Sequence, residues 1–386
     1  MPICFLTGRS IGTKDGEDFL RRRKGRAVKL FNRISAAVAV GLAFGSMLAM
    51  PAARAQDAKM TPLKLDRRDA ELDKIVPAGA QLEEVAAGYT FLEGPVWDEG
   101  SLFFSDIPAN TILRWTPGRG AASFMESSGY KGKEPYVGPE PGSNGMTLDP
   151  HGRLTVAGHA ARTVFRFEPL DPTGIVTTLA DTYQGKKLNS PDDVIYRSDG
   201  SAYFTDPPYG LRTQDDKDPE KELQVNGVYR IPHALLQKPG EKPLSGELQL
   251  LVSDLPRPNG IAFSPDEKYL YVSNSEPKKF WMRYTVNKDG SLSDPKLLYD
   301  DTDDPRIGNP DGMKVDVLGN IYSAAPGGVL IMTPEGKVLG TLLIPEKTSN
   351  VAWAGSESKT LYITASSKLY RVKLNIAGAP LVKAKK

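Results

Sequence analysis

One pattern recurs six times along this chain, and it restricts the possible folds more than any other feature. Each copy has a small or polar residue, an alternating apolar segment, a turn rich in Asp, Gly, Pro and Ser, and a second segment rich in β-branched and aromatic residues. The copies are LEGPVWDEGSLFFSD (92–106), SNGMTLDPHGRLTVAG (143–158), PDDVIYRSDGSAYFTD (191–206), PNGIAFSPDEKYLYVSN (258–274), PDGMKVDVLGNIYSAA (310–325) and TSNVAWAGSESKTLYITA (348–365). Most copies precede a third such segment, so three strands per unit are visible and the connections can supply a fourth.

Units of roughly 40 to 50 residues with about four strands each are typical of a β-propeller. The sequence therefore predicts an all-β fold, a six-bladed β-propeller with four-stranded blades, over residues 81–374. A lead-in segment (56–80) precedes it and a flexible tail (375–386) follows it. An all-β solenoid is the structural alternative, but its repeats are usually shorter.

Alignment of the six copies places an oxygen-bearing side chain at one shared position. The residues at this position are Glu93, Asn144, Asp192, Asn259, Asp311 and Ser349. In a propeller they begin the innermost strands and face one another across the central channel. Carboxylates that converge there would repel one another and lose hydration, and a bound cation would remove that cost. The alternative is a series of strand-initiating turns, which explains Asn and Asp at this position but does not explain Glu93.

A mixed set of carboxylate and amide oxygens suits Ca²⁺ best, with Zn²⁺, Mg²⁺ or Mn²⁺ as alternatives. The sequence thus predicts a central metal site with one divalent cation. Cys4 is the only cysteine, and it lies in the N-terminal segment, so thiolate ligands, a disulfide framework and a thiol nucleophile are excluded for the folded part.

The N-terminal 55 residues have the composition of a secretory signal peptide. A basic stretch leads into ISAAVAVGLAFGSMLAM (34–50), and Ala53-Arg54-Ala55 offers a small-x-small cleavage site. The apolar segment is short for a transmembrane helix and contains Gly and Ser, although an uncleaved anchor is the alternative. The consecutive arginines Arg21 to Arg23 are compatible with twin-arginine export, so the sequence does not distinguish that route from Sec export. We therefore expect a periplasmic or secreted protein with no stable membrane association after cleavage near Ala55.

Removal of that segment changes the net charge of the chain. Residues 1–55 contain 10 of the 49 Lys and Arg residues and 3 of the 47 Asp and Glu residues, which leaves residues 56–386 with a net charge of −5. A mildly acidic chain without a basic stretch is a poor nucleic-acid binder, so we expect no nucleic-acid partner. The oligomeric state is left open by the sequence.

Four motifs in this chain resemble those of the gluconolactonase, senescence marker protein (regucalcin) and luciferin-regenerating enzyme family. They are LEGPVW (92–97), LNSPDDVIYRSDGSAYFTDPPYG (188–210), RPNGIAFSPDEKYLYVSN (257–274) and NPDGMKVDVLGNIY (309–322). The resemblance extends from about residue 69 to residue 374. It implies a six-bladed propeller with a divalent cation held by Glu93, Asn259 and Asp311. The family's Asn at or near the metal corresponds here to Asp192, which keeps an oxygen and adds a negative charge.

Four further residues are candidates for substrate binding, namely Asn144, Asn189, His159 and Tyr209. Asn144 either begins a strand only or also lines the cation pocket. His159 matches a histidine often found in bacterial gluconolactonases, where it either lines the pocket or makes a structural hydrogen bond. Tyr209 follows a Pro-Pro turn, and it either lines the pocket or packs on the surface.

These features predict a metal-dependent hydrolase that opens a sugar lactone or a similar cyclic ester. The cation would polarise the carbonyl, and Asp311 would act as the general base, with Asp192 as the second choice. No G-x-S-x-G motif occurs in residues 56–386, which argues against a serine hydrolase of that type. Two alternatives remain open: a phosphotriesterase-like hydrolase, and a non-catalytic, calcium-holding propeller that binds a ligand.

Overall fold

The computed structural model describes residues 59–382, and the predicted signal peptide lies outside the described residues. The described chain forms six four-stranded antiparallel sheets arranged in a ring, so the prediction of a six-bladed β-propeller is confirmed. Within residues 59–382, no helix is long and apolar enough to cross a membrane.

The lead-in segment contains two strands and the one α-helix of the described residues. They are β1 (Lys59–Pro62), β2 (Lys64–Arg67) and α1 (Leu72–Ile75). The next strand, β3 (Gln81–Ala87), belongs to the sixth blade. Three short 3₁₀ helices lie in loops of the described chain, at His159–Ala161, Ala234–Leu236 and Ser245–Glu247.

The first three blades follow one another along the chain, each beginning with its innermost strand. Blade 1 consists of β4 (Leu92–Asp98), β5 (Ser101–Asp106), β6 (Thr111–Thr116) and β7 (Gly120–Glu126). Blade 2 consists of β8 (Met146–Leu148), β9 (Leu154–Ala157), β10 (Val164–Glu168) and β11 (Ile175–Ala180). A hairpin of β12 (Thr182–Tyr183) and β13 (Lys186–Lys187) precedes blade 3. Blade 3 consists of β14 (Val194–Tyr196), β15 (Ala202–Asp206), β16 (Gly227–Ile231) and β17 (Gln249–Val252).

The last three blades repeat this arrangement, and two of them are extended by the lead-in segment. Blade 4 consists of β18 (Pro258–Phe263), β19 (Tyr269–Asn274), β20 (Phe280–Val286) and β21 (Leu292–Asp300). Blade 5 consists of β22 (Met313–Val315), β23 (Ile321–Ala325), β24 (Gly328–Met332) and β25 (Val338–Leu343), with β2 added at its outer edge. Blade 6 consists of β26 (Thr348–Ala354), β27 (Thr360–Ala365), β28 (Lys368–Lys373) and β3, with β1 outside β3.

The alternating pattern of each strand places its two faces against the two neighbouring blades. In β5, Phe103 packs in the cluster shared with blade 2, whereas Leu102 and Phe104 pack in the cluster shared with blade 6. Successive side chains of a strand point to opposite faces of the sheet, and a blade is covered on both faces. The apolar residues that the repeat predicts as core are therefore buried between blades.

The sixth blade closes the ring with strands from both ends of the described chain. β28 pairs antiparallel with β3, with Lys368 opposite Ala87. Across this pair Arg371 forms two hydrogen bonds to the carboxylate of Glu83, of 2.8 and 2.6 Å, the geometry that favours Arg–carboxylate pairs. The strands β1 and β2 were not visible in the sequence because KMTP and KLDR are short, polar and largely exposed, so they lack apolar alternation. Beyond β28, the backbone N–H of Gly378 donates to Ser358.

Candidate active site

A closed circle of hydrogen bonds joins the six inner strands at the position that the repeat identifies. Each bond connects one blade to the next. They are Ser105 Oγ to Asn144 O, Gly145 N to Asp192 O, Thr205 Oγ1 to Asn259 O, Ser273 Oγ to Asp311 O, Gly312 N to Ser349 O, and Ser349 Oγ to Leu92 O. The six equivalent positions therefore follow one another around the axis at one end of the channel, as the alignment predicts.

All six positions carry buried side chains with oxygen atoms, but the sixth, Ser349, uses its hydroxyl for other hydrogen bonds. Ser349 turns its hydroxyl to the backbone of Leu92, at 2.6 Å, and to Thr364. Its neighbour Asn350 occupies the position that Gly94 and Gly312 take in other blades, and its amide donates to Oε2 of Glu93 at 2.9 Å. We call Glu93, Asn144, Asp192, Asn259 and Asp311 the oxygen ring.

The three acidic residues of the oxygen ring lie close enough to affect one another's ionisation. Burial raises the pKa of Glu93 to about 7, with the charge of Asp193 adding to the effect. Burial raises the pKa of Asp192 well above its ordinary value, and the carboxylates of Asp311 and Glu93 raise it further. Burial and Glu93 raise the pKa of Asp311 in the same way. The three carboxyls share one desolvated site, so they do not all ionise near neutral pH unless a positive charge lies beside them.

Several oxygen atoms of the ring are buried and make no hydrogen bond. Oδ1 of Asn144, Oδ2 of Asp192 and Oδ1 of Asn259 have no partner within residues 59–382. Buried polar atoms are normally paired, so three orphaned oxygens in one ring need a missing partner. No three His, Cys, Asp or Glu side chains of the described chain are arranged to hold a metal by themselves. A cation here would therefore need the amide oxygens of Asn144 and Asn259 as well, which fits the oxygen preference of Ca²⁺.

A second polar layer lies next to the oxygen ring in the channel. It is formed by Asp193, Lys314 and Asn350, with Lys314 Nζ 4.0 Å from Asp193 Oδ2 and 3.4 Å from Asn350 Oδ1. The backbone N–H of Val351 also donates to that Asn350 oxygen, which fixes the amide so that its nitrogen faces Glu93. This layer places the ammonium group of Lys314 and the carboxyl of Asp193 beside the acidic ring.

The predicted substrate residues occupy different surroundings. Asn189 is fully buried and donates to the backbone oxygens of Asp206 and Val225, both at 2.9 Å, so it holds loops together. His159 is also fully buried, with Nε2 2.8 Å from Oε2 of Glu140 and Nδ1 3.3 Å from the carbonyl of Pro191. His159 thus makes structural hydrogen bonds, and its Nδ1 also lies 3.9 Å from Oδ2 of Asp192 in the oxygen ring.

Tyr209 reaches the oxygen ring from the turn that follows β15. Its side chain lies beside Ser275, and burial together with the charges of Glu276, Asp192 and Asp311 raises its pKa. The phenol therefore keeps its proton at neutral pH and can donate a hydrogen bond. The residue is half-buried, and the effect of the Asp192 and Asp311 charges on its pKa indicates that it lies near the oxygen ring.

Two residues near the site are not among those that the sequence analysis identifies. Glu140 comes from the long connection between β7 and β8, which lacks the repeat pattern, and Asn350 is one residue beyond the shared position. The one available clue to Asn350 was that it replaces the glycine that follows the shared position in four of the six copies.

A separate cavity of about 620 Å³ lies between the connection 127–145 and the loop after β15. Tyr136, Arg162 and Arg212 are among its lining residues, and none of the oxygen ring lines it.

Comparison with known proteins agrees with this architecture. The model of the SMP-30/Gluconolactonase/LRE-like region matches residues 91–367. A gluconolactonase of Zymomonas mobilis subsp. mobilis is 36% identical over 362 residues, covering 89% of this chain and 97% of that protein. The solved structure of a gluconolactonase from Xanthomonas campestris is 30% identical, with a TM-score of 0.67 over 84% of this chain and 99% of that one. The calcium-binding protein regucalcin of Agrobacterium tumefaciens, 16% identical, shares the fold with a TM-score of 0.58 over 78% of this chain and 95% of that one. This chain therefore belongs to the SMP-30/gluconolactonase/LRE-like family.

Proposed function

We propose that this protein is a metal-dependent lactonase that hydrolyses a sugar lactone or a similar cyclic ester. The observation that carries the proposal is the set of unpartnered, buried oxygens of Asn144, Asp192 and Asn259 in one ring with the carboxyls of Glu93 and Asp311. The similarity to proteins named gluconolactonase, one of them over most of both chains, supports a lactone as the substrate class.

The cation would be held by Glu93, Asp192, Asn259 and Asp311, with Asn144 as a further oxygen donor or a substrate contact. When bound, a divalent cation polarises a carbonyl oxygen and stabilises the negative charge that develops on it. We take Ca²⁺ as the ion because all the candidate ligands are oxygens. If Zn²⁺, Mg²⁺ or Mn²⁺ restored more activity than Ca²⁺ in the test below, that ion would be identified instead.

Asp311 is the general base in this proposal because it is the ring carboxyl with the most access to water. It is 8% exposed, compared with 2% for Glu93 and for Asp192. Its Oδ1 accepts the backbone N–H of Gly312 at 3.0 Å, which orients the group. The other oxygen of Asp311 can then take the proton of a water molecule that attacks the lactone carbonyl.

Tyr209 would bind the substrate rather than remove a proton. Its raised pKa keeps the phenol neutral, so its hydroxyl can donate to an oxygen of the lactone. Asn189 and His159 hydrogen-bond to loop carbonyls, and their part in substrate binding would be to hold those loops.

The test is hydrolysis of a panel of aldonolactones by residues 56–386, in chelator and after addition of each of the four cations. We expect chelator to abolish lactone opening and Ca²⁺ to restore it most fully. Full activity in chelator would overturn the metal requirement. A neutral organophosphate triester in the same panel distinguishes a phosphotriesterase, and binding of calcium without turnover of any substrate would identify a ligand-binding propeller.

We further propose that residues 1–55 direct export and are removed near Ala55, which places the mature protein in the periplasm or outside the cell. The basic and apolar parts of the segment and the small-x-small site support this. Mass spectrometry of the exported protein should give an N-terminus near Gln56. An intact apolar segment in membrane fractions would instead identify an anchor.

A further inference from the structure

Glu140 and His159 form a half-buried pair beside the oxygen ring. Glu140 lies on the connection between β7 and β8, and His159 follows β9. The distance from His159 Nε2 to Glu140 Oε2 is 2.8 Å. The histidine is completely buried, whereas the side chain of Glu140 is 20% exposed. Neither residue belongs to the repeat, and the proposed hydrolysis gives neither of them a part in metal coordination or proton transfer.

The imidazole has one orientation because both its nitrogens face oxygen atoms. Nδ1 lies 3.3 Å from the carbonyl oxygen of Pro191, which can only accept a hydrogen bond, so Nδ1 must carry a hydrogen. Nε2 faces the carboxyl of Glu140. A flipped ring would lose both contacts.

Backbone packing holds the same orientation. A side-chain carbon added to Gly210 would lie 2.8 Å from Cδ2 of His159 and 2.7 Å from Cβ of Ser190, so the glycine backbone lies directly against the ring. The hydroxyl of Tyr136, on the same connection as Glu140, donates to the carbonyl of Gly210. His159 itself has a φ of 40°, in the left-handed region, a conformation that persists where its surroundings fix it.

The nitrogen that faces Pro191 also faces the oxygen ring. His159 Nδ1 is 3.9 Å from Oδ2 of Asp192, the same oxygen that is buried and has no hydrogen-bond partner within the described chain. Pro191 is the residue before Asp192. The imidazole therefore contacts the backbone that carries this carboxyl and also lies beside the carboxyl itself.

We propose that Glu140 and His159 are positioning residues that hold Asp192 in the orientation that a cation requires. Glu140 fixes the imidazole, and the imidazole fixes the Pro191–Asp192 segment and the direction of the Asp192 carboxyl. The inference rests on the proposed cation site. It also links the connection 127–145, which carries Glu140, to the oxygen ring. Outer partners of this kind typically change metal affinity by about 10- to 100-fold when they are removed.

The chain supplies a matched control. His233 and Glu247 form another His–Glu pair, with a distance of 2.6 Å from Nδ1 to Oε2. Both side chains are about half exposed, at 55% and 48%, and neither contacts the oxygen ring. A general effect of breaking a His–Glu pair would appear in both places, whereas an effect through Asp192 would appear only at Glu140.

The first experiment is calorimetric titration of calcium into the wild type and three variants: Glu140→Gln, His159→Asn and Glu247→Gln. Glu140→Gln keeps the shape of a partly exposed residue, and asparagine at 159 tolerates the left-handed φ but cannot reach Glu140. We expect the first two to bind calcium about 10- to 100-fold more weakly and Glu247→Gln to match the wild type. Lactone turnover by Glu140→Gln should return at saturating calcium, as a positioning role requires. Wild-type affinity in Glu140→Gln and His159→Asn would overturn the inference.

A second experiment separates this inference from the proposed function. Unfolding free energies are measured in chelator for the wild type, His159→Asn, Asp192→Asn and the double variant. A non-additive cycle would show that His159 and Asp192 are coupled without any metal. If the wild type bound no calcium but the cycle were non-additive, the metal proposal would fail and the positioning pair would stand. An additive cycle would overturn the positioning pair whatever the metal result.

Discussion

The side-chain amide of Asn350 donates a hydrogen bond of 2.9 Å to Oε2 of Glu93, which joins the sixth blade to the first. The same oxygen of Glu93 accepts the backbone N–H of Gly94 at 2.5 Å. The last blade therefore provides no oxygen to the ring through Ser349 and instead orients the carboxyl of Glu93. Blade 6 thus positions a candidate ligand, Glu93, whereas each of the other blades carries a candidate ligand of its own.

Replacement of Asn350 by leucine should weaken calcium binding more at pH 7 than at pH 9. The hydrogen bond from Asn350 lowers the pKa of Glu93 against the larger effect of burial, so its loss raises that pKa and leaves less of the carboxylate ionised at pH 7. Calorimetry at the two pH values measures the difference. Ser349→Ala is the control because the Ser349 hydroxyl contacts Leu92 and Thr364 and not Glu93. Equal losses of affinity at pH 7 and pH 9 would contradict this role.

Calcium affinity of the wild type should rise as the pH rises through the pKa of Glu93, about 7. The pKa of Glu93 is raised to about 7, and those of Asp192 and Asp311 are also raised, so protons occupy the ring at lower pH. These protons must leave before the oxygens coordinate a cation, so binding releases protons and strengthens as they are removed. Titration in two buffers with different ionisation enthalpies counts the released protons. A dissociation constant that does not vary between pH 5 and pH 8 would show that the ring carboxyls are not ligands.

Asp311→Asn should retain much of the calcium affinity and lose hydrolysis by about two orders of magnitude or more, the usual effect of removing a general base. The amide keeps one oxygen for the cation but does not take a proton near neutral pH. Asn259→Asp is the matched variant, and it should keep coordination and much of the activity. Calorimetry and lactone turnover are measured for both. If Asp311→Asn hydrolysed lactone as fast as the parent with calcium bound, Asp192 would become the candidate base.

Gly260→Ala should destabilise the fold by about 1 to 3 kcal/mol, as overpacking of a well-packed interior does. The added carbon would collide with the carbonyl oxygen of Asp311 and lie 2.8 Å from Cα of Gly312. Because the displaced backbone carries Asp311, turnover should fall as well. Gly246→Ala is the control, since a carbon added there meets no atom within 4 Å. Denaturant unfolding and lactone turnover are the measurements, and equal stability of the two variants would contradict the close approach.

The sequence predicted the fold and the shared ring position because both repeat. Five residues at that position lie in the oxygen ring, and their order around the axis follows their order in the chain. The sixth, Ser349, differs because its hydroxyl bonds to the carbonyl of Leu92 and to Thr364. An alignment of the repeat copies carries no information on these hydrogen-bond partners.

The rest of the site depends on contacts that no repeat encodes. Glu140 and Gly210 come from connections of different blades and meet at His159 only in three dimensions. The family prediction is confirmed by the matched region and by the similar proteins. The identity of the ion, the base and the export of the chain stay predictions.

The pairing of β3 with β28 determines when the ring can be completed during synthesis. β3 is among the first strands of the described chain to leave the ribosome, and its partner is the last. Until residues 368–373 emerge, the side of β3 that will pair with β28 has no partner and blade 6 lacks its outer strands. Closure thus waits for the whole polypeptide, and a nascent chain stalled before residue 368 has an open strand edge that invites association with other chains.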